Sequence, residues 1–273
     1  MTNTTASHIP QEMKDVLQAY GELQFEPYPY WMFRVKPNQR FRYGVVNTQG
    51  FRGCEPEAPK RRMRLMFVGD SVGFGIGATS DETTIPGYLA TLLAQAGVEV
   101  EVINASQRAH TLTQHWIRTS LELLHWQPDC LIYFFGYADY YTLLKGRRPG
   151  FPINIITERR PMVDRVARVW RRVRWRLGIP WEPRRRSPER PIGDEQFVQG
   201  AHALVHRVRA VHHVVAAARC RAIFVLQPVP GYGARRLDPA ERASVEEEAQ
   251  RTRRFSGRDY LHDLHAQFGN WQV

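Results

Sequence analysis

The chain has 273 residues, 43% apolar and 24% charged, which suits one large soluble domain with appendages. No apolar run approaches the ~20 residues of a membrane span, and the first residues, MTNTTASHIPQEMKD, lack the charged-then-apolar pattern of a secretory signal. A cytoplasmic protein, at most peripheral to a membrane, is the expectation. The formal charge of +11 is local: twelve arginines against three acids between Arg159 and Arg190 carry +9 of it, so no nucleic-acid partner is expected.

Residues 1–60 read as a leader that packs on the main domain. Its aromatic patch FEPYPYWMF and the following VKPNQRFRYGVVNTQGFRG are broken by prolines and glycines into short extended pieces. Exposing that much ring surface would be costly, so the aromatics are expected to face the domain. Residues 61–273 form that domain. RLMFVG is a buried strand, and TIPGYLATLLAQAG a helix with Pro86 in its first turn and Gly97 past its end. VEVEVINA is a strand of period two, and TLTQHWIRTSLELLHW one helix with Leu112, Trp116, Leu123 and Leu124 apolar. DCLIYFFG is a third strand. After an arginine-rich insertion over residues 145–193 comes a long helix, EQFVQGAHALVHRVRAVHHVVAAAR, with a stripe through Val198, Ala201, Val205, Val208 and Val215. RAIFVLQPVP is a fourth strand, PAERASVEEEAQRTRRF a polar helix, and DYLHDL a short fifth strand. Strands alternating with helices predict an α/β fold: a parallel sheet with helices on both faces. Cys54, Cys130 and Cys220 are scattered; the latter two edge apolar runs and are expected to be buried thiols.

The stretch MFVGDSVGFGIG, Met66 to Gly77, carries the chemistry. Ser71 lies just past the first strand of the domain, on the carboxyl side where open parallel sheets bind ligands. Gly69 permits a tight turn, and Gly73, Gly75 and Gly77 would let backbone approach a substrate and supply amide donors. Gly69-x-Ser71-x-Gly73 also matches the nucleophile elbow of α/β-hydrolases, and Gly73-x-Gly75-x-x-Ala78 a loose dinucleotide fingerprint. The second strand ends in Asn104 rather than a ribose-binding acid. A serine that merely caps local backbone is the remaining alternative.

VGDSVGFGIGATSDET resembles the first block of the SGNH/GDSL hydrolases. VVNTQGFRG in the leader resembles members of the same family, and QPDCLIYFFGYAD lines up with their third block, normally Gly-x-Asn-Asp. The resemblance implies a three-layer, flavodoxin-like esterase or lipase with Ser71 as nucleophile. It implies an oxyanion hole made by the Ser71 amide, by an amide at about Ser106 where the family has glycine, and by an asparagine side chain that here falls at Ala138, which has no donor. Asp139 closes that block as a structural residue. Tyr137 or His110 could stand in for the missing donor.

The family's base lies in Asp-x-x-His, matched by Asp259 and His262: His262 would take the serine proton and Asp259 orient the imidazole. Two alternatives stay open. Only 11 residues follow His262, so the motif could lie beyond Val273 in a longer relative, or Asp263 with His265 could serve. His202 and His206 have the i, i+4 spacing of metal ligands without a third partner and read as a solvated face. No metal or cofactor is implied. The expected substrate is an O-acyl ester of a lipid, sugar or small molecule. The alternative is a catalytically weakened relative that binds an acylated or anionic ligand. In the insertion, Val163, Val166, Trp170, Val173 and Leu177 form one apolar stripe among arginines. That pattern suits a lid, and residues 159–190 also suit an anionic membrane surface or an acidic partner.

Overall fold

The parallel sheet is built from the apolar runs. The computed structural model describes residues 11–144, 193–228 and 236–257. The arginine-rich insertion other than Gly193, the expected fifth strand, Asp259, His262, Asp263 and His265 lie outside the described residues. The strands are β5 (Met63–Gly69), β6 (Val100–Asn104), β7 (Cys130–Phe135) and β8 (Arg221–Leu226), all parallel, in the order β6-β5-β7-β8. Numbered within the domain that order is 2-1-3-4, the arrangement of a flavodoxin-like sheet.

Alternation along β5 sorts the two faces. Met66 and Val68 join Ile103, Leu131, Tyr133 and Phe135 under α4 (Leu112–Leu121) and α6 (Asp194–Ala217), with Leu112, Leu204, Val211 and Val215 completing that core. Leu65 and Phe67 join Ile132 and Phe134 on the other face, where Leu89 and Leu93 of α3 (Ile85–Gln95) pack. Helix, sheet and helix make three layers. The starts of the helices are local chemistry: Thr84 caps α3 by accepting from the Gly87 N–H at 3.1 Å, and Pro86 fills its first turn. On α7 (Pro239–Ser256), Asp238 and Glu241 form a capping box. α7 packs against α5 (Tyr137–Leu144).

Two helical expectations are corrected. The segment expected as one helix breaks: α4 stops at Leu121 and a separate 3-10 turn, Leu123–Trp126, carries the chain on to Gln127 in a left-handed conformation. In α6 the buried residues are Phe197, Gly200, Leu204, Val211 and Val215, so the stripe expected through Val198, Ala201 and Val205 is turned about one position around the axis. Gly200 sets that phase: a Cβ there would come within 2.5 Å of Leu143 on α5, so the two helices meet at the glycine.

The leader comprises α1 (Gln11–Gly21) and the antiparallel pairs β1–β2 (Phe25–Tyr28, Met32–Val35) and β3–β4 (Gln39–Phe41, Gly44–Val46). Trp31, Phe33 and Val35 are buried, whereas Tyr30 is exposed. Domain side chains hold its backbone. Gln107 accepts the Val35 N–H at 2.7 Å and donates to Gly50 O at 2.9 Å, and Gln114 donates to Trp31 O at 2.9 Å. No helix among the described residues is long and apolar enough to cross a membrane.

Candidate active site

β5 ends where there is no room for a side chain. A Cβ on Gly69 would lie 2.9 Å from Phe134 O and 3.2 Å from the Gly73 Cα, so the chain turns tightly against β7. Asp70 then caps a single helical turn, α2 (Ser71–Phe74), its Oδ1 accepting the Val72 N–H at 2.9 Å. Phe74 anchors the turn in the leader's apolar cluster with Val16, Tyr20, Val35 and Val46. Gly75, at φ 91°, ends it. Ser71 is the first residue of this turn, half-exposed, and its Oγ has no hydrogen-bond partner among the described residues. Val72 beside it is exposed.

Gly73 and Gly75 answer to packing, whereas a Cβ on Gly77 would meet nothing within 4 Å. A Cβ on Gly73 would sit 2.8 Å from the Ser106 Oγ, and one on Gly75 would sit 2.5 Å from Thr84 Cγ2. Both are buried. α2 is held from beneath by Asn104, whose Nδ2 donates to Gly73 O at 3.2 Å and Phe74 O at 3.4 Å. The asparagine that ends β6 thus serves the serine turn.

Ser106 is wholly buried and its N–H already donates to Asn104 Oδ1 at 3.2 Å. Arg108 and Ala109 are the half-exposed residues of the same loop, and Ala109 stands in the left-handed region at φ 57° that glycine favours. Its N–H has no partner among the described residues. Ala138 is buried and offers only a methyl group. Asp139 accepts the Leu112 N–H at 3.0 and 3.3 Å and so caps α4; burial pushes its carboxyl up to about 7.

Beneath Ser71 lies a polar knot joining the carboxyl ends of three strands. Asp70 is 2% exposed, and burial raises its carboxyl above the usual range. Gln227, the first residue past β8, donates from Nε2 to Asp70 Oδ1 at 2.6 Å and accepts the Tyr137 N–H at 2.8 Å. Ser71 follows β5 and Tyr137 follows β7. These are the first and third strands of the domain, adjacent in the sheet at the switch point where flavodoxin-like folds bind ligands.

The histidines fall elsewhere. His110 is wholly buried, its Nε2–H donating to Phe33 O at 2.9 Å, and burial pushes its imidazole down to about 3. It is a leader contact. His115, 5.6 Å from it between ring centroids, is also buried and pushed well below the ordinary value. His202 and His206 are exposed. Sequence reasoning missed Gln227 and Ala109. The signal available for Gln227 was its place as the first polar residue after an apolar strand, on the carboxyl rim.

No protein-family model matches the chain, and no curated protein does. Among solved structures it is similar to TesA at 15% identity, covering 70% of this chain and 73% of that one, with a TM-score of 0.38. It is similar to AlinE4, described as a SGNH-hydrolase family esterase, at 18% identity over 71% and 94% of the two chains, TM-score 0.31. It is also similar to Axe2, an acetylxylan esterase from Geobacillus stearothermophilus, at 16% identity over 60% and 75%, TM-score 0.29.

Proposed function

We propose that the chain is a serine hydrolase of esterase type that cleaves an O-acyl ester of a lipid, sugar or small molecule through an acyl-enzyme on Ser71. One observation carries this: Ser71 presents a half-exposed hydroxyl, without a partner among the described residues, at the sheet's switch point, while Asp70 beside it is tied into the protein. Exposed oxygen on a rigid, buried support is what a nucleophile requires.

In this proposal the Ser71 Oγ attacks the acyl carbonyl and His262, oriented by Asp259, takes its proton. The oxyanion is met by the N–H groups of Ser71 and Ala109, the latter replacing Ser106 because the Ser106 N–H is spent on Asn104. The alcohol leaves with the proton from His262, and water, activated by the same base, releases the acid. With only a methyl group at Ala138, the oxyanion has one donor fewer than the resemblance implies, a loss that typically costs ~10²–10³ in turnover. A slow enzyme is the expected outcome. The basic composition of segment 159–190 suits contact with an anionic surface or an acidic partner.

The test is labelling of the full chain with a fluorophosphonate probe, with Ser71→Ala and His262→Ala as controls. Covalent labelling that Ser71→Ala abolishes and His262→Ala weakens is expected. Absence of labelling in the unmodified protein at any pH between 5 and 9 would refute a catalytic Ser71 and leave a ligand-binding relative in its place.

A further inference from the structure

We infer that Gln227 is a positioning residue for the Ser71 nucleophile: its carboxamide holds the Asp70 cap and the Tyr137 amide together, and so sets how the serine turn stands against the loop that follows β7. The inference rests on the proposed role of Ser71.

Gln227 has little freedom of its own. Its backbone N–H donates to Phe135 O at 2.9 Å, one rung past the end of β8, and it is 6% exposed. The side chain bridges two groups of opposite need. A peptide N–H can only donate, so the end of the carboxamide facing Tyr137 at 2.8 Å is the oxygen. The nitrogen is then turned to Asp70 Oδ1 at 2.6 Å. Only a group with a donor and an acceptor on one plane fills this gap: lysine would lack the acceptor and an ionised glutamate the donor. Asp70 Oδ1 is the atom that also caps the turn carrying Ser71, through the Val72 N–H. Movement of Asp70 is therefore passed to Ser71 through one peptide unit. The bond to Asp70 spans 157 residues and joins the outer strand β8 to the turn after β5, across β7.

Among the described residues, the other charged groups around this knot are Asp139 on α5, whose carboxyl is raised in part by Asp70, Arg207 on α6, which acts on Asp139 in the opposite sense, and Glu248 on α7, whose Oε1 accepts the Tyr137 hydroxyl at 3.3 Å. All three are retained in variant and unmodified protein.

A protonated carboxylic acid has the shape and the donor–acceptor pattern of the carboxamide, whereas an ionised one does not. The informative substitution is therefore Gln227→Glu, with Gln227→Leu as the variant that removes both bonds. The rate of fluorophosphonate labelling of Ser71 is measured on the full chain from pH 5 to 8, with thermal melts as the check on folding. Gln227→Glu is expected to label at close to the unmodified rate at pH 5. Its rate relative to the unmodified protein at the same pH is expected to fall about tenfold or more by pH 8, as the introduced carboxyl ionises beside Asp70 and the turn shifts. Gln227→Leu, where folded, is expected to label slowly at every pH, with no such crossover. A Gln227→Glu profile parallel to the unmodified one overturns the inference while leaving Ser71 as nucleophile. If the unmodified protein does not label at all, the catalytic role of Ser71 fails first and this inference falls with it.

Discussion

Arg52 offers the sharpest test of how the leader and the serine turn depend on each other. It is 3% exposed, yet all of its nitrogens find acceptors. Nε donates to Asp81 Oδ1 at 2.7 Å. One terminal nitrogen reaches Tyr20 Oη at 2.8 Å, Phe74 O at 3.0 Å and Gly75 O at 2.9 Å; the other reaches Tyr43 O at 2.7 Å and Ser80 O at 3.1 Å. The guanidinium also lies 5.2–5.5 Å from the ring centroids of Tyr20, Phe41 and Phe74. Arg52→Met keeps an unbranched stem as far as the position of Nε and removes every one of these bonds. The carbonyls of Phe74 and Gly75 close α2 and would each lose a donor, keeping only the Asn104 Nδ2 at 3.4 Å and the Ala78 N–H at 3.0 Å; the carbonyls of Tyr43 and Ser80 lose the guanidinium as well, and Asp81, a quarter exposed, can partly rehydrate. Breaking a buried ionic centre from one side costs about 3–5 kcal/mol. That is a large share of the ~5–15 kcal/mol by which a protein is normally stable, and corresponds to a fall of about 10 °C in Tm for a chain of this size. Chemical denaturation gives the free energy directly. Arg52→Lys is expected to recover only part, since an ammonium has three donors for six acceptors. A loss below about 1 kcal/mol for Arg52→Met would show that water or a neighbour replaces the guanidinium, and the reasoning would fail.

Two further outcomes follow from the same geometry. Gly75→Ala places a Cβ 2.5 Å from Thr84 Cγ2 at a φ of 91°; the left-handed conformation alone costs ~1–2 kcal/mol, so a loss of at least that size is expected by denaturation, together with slower labelling of Ser71. Burial holds the imidazoles of His110 and His115 below their unfolded value of 6.5, His110 at about 3, so the stability they confer is fully present above pH 6.5 and is lost as pH falls towards 3. Asp139, raised to about 7, works with the opposite sign over part of that window, which makes the difference between variant and unmodified protein the quantity to measure. Both nitrogens of His115 are buried without a partner, so His115→Phe is expected to be neutral or stabilising at pH 7 and to flatten the acid limb by up to ~1.4 kcal/mol per pH unit. An unchanged slope between pH 4 and 6 would rule this out.

Different kinds of information were legible at different places. The strands were plain because a parallel strand covered on both faces reads as an unbroken apolar run, as in Leu131–Phe135. The turn at Gly69 was plain because Asp70 and Ser71 interrupt such a run abruptly. The break after α4 was less so, since apolar spacing continues through Leu123 and Leu124 while the hydrogen bonding changes beneath it. The phase of α6 was misread because valines are spread around much of that helix, and periodicity names a stripe only where the other faces are polar. The glycines of the serine turn were assigned to substrate approach, when the nearby Ser106 and Thr84 side chains give most of them their reason.

Local pattern alone determined the layered parallel sheet, the starts of its helices and the position of Ser71 past the end of β5, since each depends on residues within a few positions of one another. Only the tertiary structure decided that Arg52 closes the serine turn from the leader, that Ser106 spends its N–H on Asn104, and that Gln227 ties Asp70 to Tyr137. Those partners are brought together by the crossing of separate strands and hairpins. A side-chain hydrogen bond depends on distance in space, and no spacing along the chain encodes a contact across 157 residues.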